Sequence, residues 1–315
     1  MSGGTGFHTS ALGTDCFLLG SCKSPSIKAI DIFLGLIDEM DHVASRFRSD
    51  SELSQIFNGA AQKEVVVSEL LFAALEAALY GARITNGYLD PTVGGSLAGL
   101  GYKTDFRSSL ASGSSAPGKI QVVLPRGYKS LRLNKANRSV SVLQGVKLDL
   151  GATGKAFLAD RIKYQIEIEL SEKVLVNLGG DISASLVDRE SYWPINVTED
   201  LSLDSQSDGQ IIAIAGGGVA TSSTLRRSWN SGPQQLHHII DPFSGISSES
   251  VYHSVTVLAG SALDANIASS GTIAMGPDGP KWLASLRLPA LARSKEYGEN
   301  YFGGWQRAGA VGSHA

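Results

Sequence analysis

The chain has 315 residues, of which 43% are hydrophobic and 18% are charged, a composition that is typical of a globular protein and excludes a disordered chain. Its 27 Lys and Arg residues nearly balance 30 Asp and Glu residues, and no dense basic stripe indicates nucleic-acid binding. Two cysteines are too few to stabilise a chain of this size by disulfide bonds. Neither a signal peptide nor an apolar run of roughly 18 residues is visible, so we expect a cytoplasmic protein without a membrane span.

The N-terminal third of the chain is predicted to contain one strand and two helices. The strand covers residues 11–21. Ser24 and Pro25 offer a cap and a first-turn proline for the first helix, in which apolar residues recur mostly at three- and four-residue spacing. Ser68 can cap the second helix, which is rich in Ala and Leu and runs to Arg83.

The remaining two thirds mix strands and helices. The Ser/Gly/Pro-rich stretch 113–118 is a candidate sub-region boundary or insertion. Segments with the period-two alternation of hairpins follow at 119–124, 130–133, 139–143 and 146–150. We predict helices over 156–168 and from Leu263, and strands over 174–178, 192–197, 210–215 and 254–258. Because strict βα alternation is missing, the predicted fold class is α+β, in one domain covering residues 1–315.

Four glycine-bearing turns are the first candidates for ligand binding: 87–94, 148–155, 177–181 and 216–223. Glycine lets backbone amides approach a bound anion, so four such turns favour a phosphate-bearing ligand, although a single one is usually only a tight turn. The turn at 148–155 resembles a P-loop, but Lys155 is followed by Ala156 instead of a hydroxyl residue. The Gly-x-Gly-x-x-Gly dinucleotide fingerprint is absent.

Two adjacent histidines, His237 and His238, precede Asp241. Neighbouring side chains on a strand point in opposite directions, so the two cannot easily chelate one ion. One of them is a candidate general base, because an imidazole titrates near neutral pH. The alternative interpretation, for either histidine, is a structural residue whose ring nitrogens are hydrogen-bonded within the fold. Asp241 could orient the base or hold a charge beside it.

A candidate cation site lies on the helix predicted from Leu263. Asn266, Ser269 and Ser270 are spaced i, i+3 and i+4, so they share one face, where three oxygen-bearing side chains could bind Mg²⁺. The alternative is that Asp264 and Asn266 cap the helix and that the serines are packing residues. The spacing alone favours this alternative.

Taken in chain order, these motifs resemble those of the ApbE-type FAD:protein FMN transferases, and two of them look like the branch of that family common in actinobacteria. The matching segments are Ser45-Arg46-Phe47, Ser51-Glu52-Leu53, 87–94, Asp149-Leu150-Gly151 with Lys155, 177–181, Ala220-Thr221-Ser222, 238–242 and 264–270. The resemblance extends over residues 11–276. It implies a single α+β unit with mixed sheets and a cleft that binds FAD.

The resemblance also implies roles for individual residues. Those that would line the FAD site are Leu12, Phe47, Leu89, Asp90, Pro91, Asp149, Lys155 and Ile240. The Mg²⁺ site would use the backbone carbonyl of Ala152 and the side chains of Asn266, Ser269 and Ser270, and His238 would be the catalytic base. Many relatives have Asp where Asn266 stands and Thr where Ser270 stands. A neutral amide oxygen should hold Mg²⁺ less tightly than a carboxylate does.

The implied activity is the transfer of FMN from FAD to a Thr or Ser hydroxyl of an acceptor protein, through a phosphoester bond and with release of AMP. The acceptor is expected to be cytoplasmic. Two alternatives stay open at the level of the sequence. One is an FAD pyrophosphatase that gives FMN and AMP with water as the acceptor. The other is a non-catalytic FAD-binding protein, which the neutral Asn266 would favour.

Overall fold

The computed structural model describes residues 6–58, 64–102, 120–188, 191–199, 209–231 and 234–306. In chain order the strands are β1 (Phe7–Ala11), β2 (Thr14–Gly20), β3 (Val65–Val66), β4 (Leu131–Asn134), β5 (Ser139–Val142), β6 (Val174–Leu178), β7 (Asp181–Ala184), β8 (Trp193–Val197), β9 (Gln210–Ile214), β10 (Gly217–Ser223), β11 (Ser228–Ser231), β12 (Gln234–His237), β13 (Ile240–Asp241), β14 (Ile246–Ser247), β15 (Ser254–Ala259), β16 (Ala290–Ser294) and β17 (Gly298–Phe302).

The largest sheet has eight strands in the order β1-β2-β6-β7-β10-β15-β16-β17, and every neighbouring pair is antiparallel. Smaller sheets pair β8 with β9, β11 with β12, β13 with β14, and β5 with both β3 and β4. The helices are α1 (Ile27–Ala44), α2 (Glu52–Asn58), α3 (Glu69–Ile84), α4 (Gly94–Gly99), α5 (Gly154–Leu170), α6 (Ala262–Ala274) and α7 (Gly279–Leu286). The α+β prediction is confirmed.

Local signals explain where the two N-terminal helices begin. The Ser68 hydroxyl accepts the Leu71 N–H at 3.3 Å and caps α3, as predicted. Helix α1 begins later than predicted, because the Ser26 hydroxyl is the group that accepts the Ala29 N–H, at 3.1 Å. Because Ser26 is the cap, Pro25 lies before the helix instead of inside its first turn.

The two faces of the large sheet are covered by different elements. On one face, α1, α3 and α5 bury large side chains, among them Phe33, Leu75 and Ile162, against strands β2 and β6. On the other face, the β8–β9 ribbon buries Trp193 against sheet residues such as Ile182. Strand alternation therefore sends successive β6 side chains into two separate cores.

Several sequence predictions need correction. The β4–β5 hairpin is confirmed, but neither residues 120–124 nor residues 146–150 form a strand. Their backbone groups bond to the first turn and the end of α4 instead: the Gly94 N–H donates to the Lys147 carbonyl at 3.1 Å, and the Gln121 N–H donates to the Gly99 carbonyl at 3.0 Å. Helix α7 was not predicted.

The proposed boundary at 113–118 lies outside the described residues and stays a prediction. Within the described ranges, no helix is both long enough and apolar enough to cross a bilayer. Of the two cysteines, Cys16 is buried and Cys22 is exposed, and both are free thiols.

Candidate active site

The four glycine-bearing turns converge on one cleft beside the turn between β6 and β7. Each contributes lining residues: Leu89, Asp90 and Pro91 from the first, Asp149, Gly151, Ala152 and Lys155 from the second, Gly179 and Asp181 from the third, and Thr221, Ser222 and Ser223 from the fourth. His238, Ile240, Asn266 and Ser270 complete much of the wall. The structure thus brings together segments that are far apart in the chain.

A second hollow adjoins this cleft along α1. The residues that line both are Phe47, Asp149, Gly151, Lys155 and Arg227. Leu12 lines the second hollow and forms, with Gly13, the two-residue turn between β1 and β2. Both turn residues have positive φ, 52° and 68°, a geometry that matches the twist of a hairpin but is uncommon for leucine. Leu12 thus reaches the hollow from a constrained backbone.

Asp181 links two predicted ligand residues from different helices. Its Oδ2 accepts from the Lys155 ammonium at 2.5 Å, and its Oδ1 accepts from the Asn266 Nδ2 at 2.7 Å. The ammonium also donates to the Leu178 carbonyl at 3.3 Å. Asp181 is only 3% exposed, so this charge pair is held out of bulk solvent. The cleft therefore carries a paired lysine at the start of α5.

Of the three predicted ligand residues on α6, two line the cleft and one does not. The Ser270 hydroxyl lies 3.4 Å from Asn266 Oδ1, and both residues line the cleft. Ser269 is fully buried behind them and does not line it, because its hydroxyl bonds to Ser222 Oγ at 2.8 Å and to the Asn266 carbonyl at 3.2 Å. Within the described residues, no cluster of three His, Cys, Asp or Glu side chains could hold a metal ion.

An ion pair and aromatic rings form the wall between the two hollows. Arg46 pairs with Asp149, and its guanidinium lies over the rings of Phe47 and Tyr102, at 4.1 and 4.7 Å from their centroids. Tyr102 also stacks on Trp229, with centroids 5.4 Å apart. This wall presents flat apolar surface beside charged groups, which suits a ligand with an aromatic ring system.

Asp90 is bound within its own turn. Its Oδ1 accepts from the Thr92 N–H at 2.8 Å and from the Thr92 hydroxyl at 2.7 Å. Burial raises the pKa of this carboxyl above its ordinary value, and the bonds from Thr92 partly counteract that rise. Asp90 therefore shapes the turn at the cleft wall.

The two adjacent histidines have different surroundings. The His237 Nδ1 accepts from the Ile239 N–H at 3.3 Å, so its Nε2–H donates to the Ser248 carbonyl at 3.0 Å. His238 lines the cleft, and its buried Nδ1 lacks a hydrogen-bond partner among the described residues. Burial lowers the pKa of His238 well below 6.5, and the nearby positive charge of Arg227 lowers it further. His237 is therefore the structural residue, and His238 is a neutral imidazole facing the cleft.

Comparison with known proteins adds an independent observation to this geometry. The model of the ApbE family matches residues 12–292. The chain belongs to the ApbE family. The FAD:protein FMN transferase of Treponema pallidum (strain Nichols) is 27% identical over 286 residues, covering 84% of this chain and 77% of its own. That of Escherichia coli (strain K12) is 25% identical over 252 residues, covering 78% and 70%.

Solved ApbE structures share the fold of this ApbE-family chain. The ApbE protein of Thermotoga maritima superposes with a TM-score of 0.77 at 24% identity, covering 95% of this chain and 96% of its own. The flavin transferase ApbE of Vibrio cholerae gives a TM-score of 0.74 at 21% identity, with the same coverage. The predicted single ApbE-like unit is confirmed as a fold.

Sequence reasoning missed three aromatic or charged cleft residues of this ApbE-family protein. Tyr102 joins the aromatic wall from the end of the α4 segment, and Arg226 and Arg227 follow the fourth glycine-bearing turn. Burial lowers the pKa of Arg226 to about 10, although the nearby carboxylates of Glu199 and Asp181 oppose that shift. The adjacent arginines, which follow Ser223 after only Thr224 and Leu225, were the available signal, because paired cations near a glycine turn favour an anionic ligand.

Proposed function

We propose that this ApbE-family chain is an enzyme that transfers FMN from FAD to a Thr or Ser hydroxyl of an acceptor protein, and that AMP is released. The relatives named FAD:protein FMN transferase support the reaction class. The observation that carries the proposal is the cleft itself, in which four glycine-bearing turns surround a paired lysine and a neutral imidazole. These are the groups that a diphosphate and a hydroxyl nucleophile need.

FAD would occupy the cleft and the adjoining hollow. We assign its binding to Leu12, Phe47, Leu89, Asp90, Pro91, Asp149, Lys155 and Ile240, all of which line one or both spaces. The aromatic wall at Phe47 and Tyr102 suits a flat ring system, and the amides of the glycine turns with Lys155 suit the diphosphate. Binding in this way would hold the scissile phosphorus near His238.

His238 would act as the general base. Because its pKa is held well below 6.5, the imidazole is neutral at pH 7 and can accept a proton. The acceptor hydroxyl would lose its proton to His238 as its oxygen bonds to the phosphorus of the FMN half. The bond from that phosphorus to the bridging oxygen breaks, and AMP leaves with the oxygen and its charge. The proton that His238 has taken up then passes from the imidazole to solvent or to AMP.

Magnesium is the proposed metal. Ala152, Asn266 and Ser270 line the cleft together, and their carbonyl, amide and hydroxyl oxygens are the donors that Mg²⁺ accepts. Ser269 lies behind this face, so we expect it to support Ser270 through Ser222 instead of binding the ion. When bound, Mg²⁺ would neutralise charge on the diphosphate oxygens.

Mass spectrometry tests the proposal. The purified chain is incubated with FAD, Mg²⁺ and a candidate acceptor protein that carries a Ser/Thr-Gly-Ala-Thr-like segment. The expected result is a mass gain on the acceptor equal to FMN less one water, lost in His238→Ala while FAD binding persists. Free FMN and AMP without an acceptor would indicate a pyrophosphatase. Retention of FAD without AMP would indicate a binding protein. A cytoplasmic acceptor stays a prediction.

A further inference from the structure

Asp181 occupies a junction between three elements of the cleft. It is the first residue of β7 and follows Gly179 and Gly180, whose φ angles are 70° and 98°. Its two carboxylate oxygens have different partners, the Lys155 ammonium of α5 and the Asn266 amide of α6. One buried side chain thus fixes the positions of two others that are proposed to contact substrate or metal.

The carboxylate determines which end of the Asn266 amide faces the Ser270 hydroxyl. An ionised carboxylate only accepts hydrogen bonds, so the NH₂ group of Asn266 must face Asp181 Oδ1 across 2.7 Å. A flipped amide would bring two oxygens to that distance in a buried position, which is strongly unfavourable. Asn266 Oδ1 is consequently directed toward the Ser270 hydroxyl, which lines the cleft.

The same carboxylate is also the negative partner of a lysine. Lys155 lies in the first turn of α5, where the helix dipole disfavours a cation, and its partner Asp181 offsets that effect. Asn266 and Ser270, the side-chain oxygen donors of the proposed metal site, are neutral. The cleft carboxylates Asp90 and Asp149 are bound by Thr92 and Arg46 instead. Asp181 is therefore the one formal anion that touches the Asn266 amide in the described contacts.

We propose that Asp181 is a positioning residue for metal-assisted FAD binding. It orients Asn266 so that Oδ1 is presented to the divalent cation, and it places a carboxylate directly behind the amide. This inference rests on the proposed function, because the cation acts on the diphosphate of FAD. Partners of this kind, which hold a ligand from behind, typically change metal affinity 10- to 100-fold when they are removed.

An exchange of side chains tests the inference. Asp181→Asn, Asn266→Asp and the double exchange are compared with the parent chain by titrating Mg²⁺ into protein with FAD and following flavin fluorescence, without any acceptor. We expect Asp181→Asn to raise the Mg²⁺ midpoint at least about tenfold. Asn266→Asp should lower the melting temperature of the metal-free chain, because two carboxylates then face each other. Addition of Mg²⁺ should raise that melting temperature by more than it does in the parent chain. The double exchange should return the midpoint to within about threefold of the parent.

Asp160 provides a matched control. Like Asp181, it is a carboxylate that connects β7 with α6, although it lies on α5. It accepts from the Ser183 hydroxyl at 2.6 Å and from the backbone N–H groups of Ala262 and Leu263 at 3.0 and 2.9 Å. It does not line the cleft. Asp160→Asn should therefore lower the melting temperature and leave the Mg²⁺ midpoint unchanged.

The outcomes separate this inference from the proposed function. An unchanged midpoint in Asp181→Asn, or a double exchange as weak as the single variant, overturns the role of Asp181. If Asp181→Asn does not fold, the double exchange is compared with the parent alone, and a Mg²⁺ midpoint at least about tenfold above that of the parent overturns the role of Asp181. No Mg²⁺ effect on FAD binding by the parent chain also overturns it. Failure to modify any acceptor, with the Mg²⁺ shifts as expected, would instead overturn only the transfer reaction.

Discussion

The guanidinium of Arg46 and the carboxylate of Asp149 form an ion pair between the two hollows, with side chains that are 12% and 13% exposed. Asp149 also accepts the Gly151 N–H at 2.8 Å, so the pair fixes the second glycine-bearing turn against the segment after α1. Arg46 reinforces this by donating to the Tyr102 carbonyl at 3.0 Å.

Removal of the charge of Asp149 should weaken both the fold and FAD binding. Asp149→Asn keeps the shape but leaves Arg46 largely buried without its counterion, which we expect to lower the free energy of unfolding by about 3 kcal/mol. Urea unfolding and FAD titration measure the two effects. Arg48→Gln is the control, because its ion pairs with Asp41 and Asp50 are more exposed and should contribute less than about 1 kcal/mol. Equal losses in the two variants would contradict the prediction.

The pH dependence of transfer should report His238. Because its pKa is depressed, the base is already neutral at pH 7, and the rate should fall only under acid conditions, well below pH 6.5. The folded chain also resists protonation at this site, whereas the unfolded chain takes up the proton near pH 6.5, so stability should decline as the pH falls below that value. Single-turnover rates between pH 4.5 and 8, at roughly half-unit steps, would measure this. An acid limb centred above pH 7 would exclude His238 as the base.

Arg227→Gln should move the acid limb of that profile to higher pH. Arg227 is the largest charged contributor to the depressed pKa of His238, so its removal lets the imidazole take a proton more easily. His237→Ala serves as a comparison: loss of its bond to the Ser248 carbonyl should lower the melting temperature, and the acid limb should move less than in Arg227→Gln, because His237 lowers the pKa of His238 less than Arg227 does. A profile that stays in place in Arg227→Gln would argue that His238 does not control the rate.

Two glycines should respond oppositely to alanine. A methyl group at Gly218 would lie 2.1 Å from the Ser261 backbone at the start of α6, so Gly218→Ala should lower the free energy of unfolding by about 3 kcal/mol. Gly35, inside α1, has open space around the same position, and Gly35→Ala should raise it by about 0.5 to 1 kcal/mol. Thermal melts of both variants check this, and a stable Gly218→Ala would mean that α6 can move away from β10.

The sequence was sufficient where a signal is local. Ser68 caps α3 because its hydroxyl needs only a bond three residues ahead, and the glycine turns are recognisable from composition. The contact between Asp181 and Asn266 joins residues 85 positions apart, and nothing near either one in the chain predicts it. Tyr102 was missed for the same reason, since its partner Trp229 lies on β11. The family resemblance therefore predicts that the turns converge. It does not predict the hydrogen bonds and ring contacts that connect them.

The β8–β9 ribbon has a consequence for how this protein can change. It covers the sheet face remote from the helices, where Trp193 donates to the Ser185 carbonyl at 2.9 Å, and no buried residue of its core lines the cleft in the part of the chain that the structure describes. The core under the ribbon therefore lies apart from the lining of the cleft. Substitutions in that core can therefore change the melting temperature while the turnover stays the same.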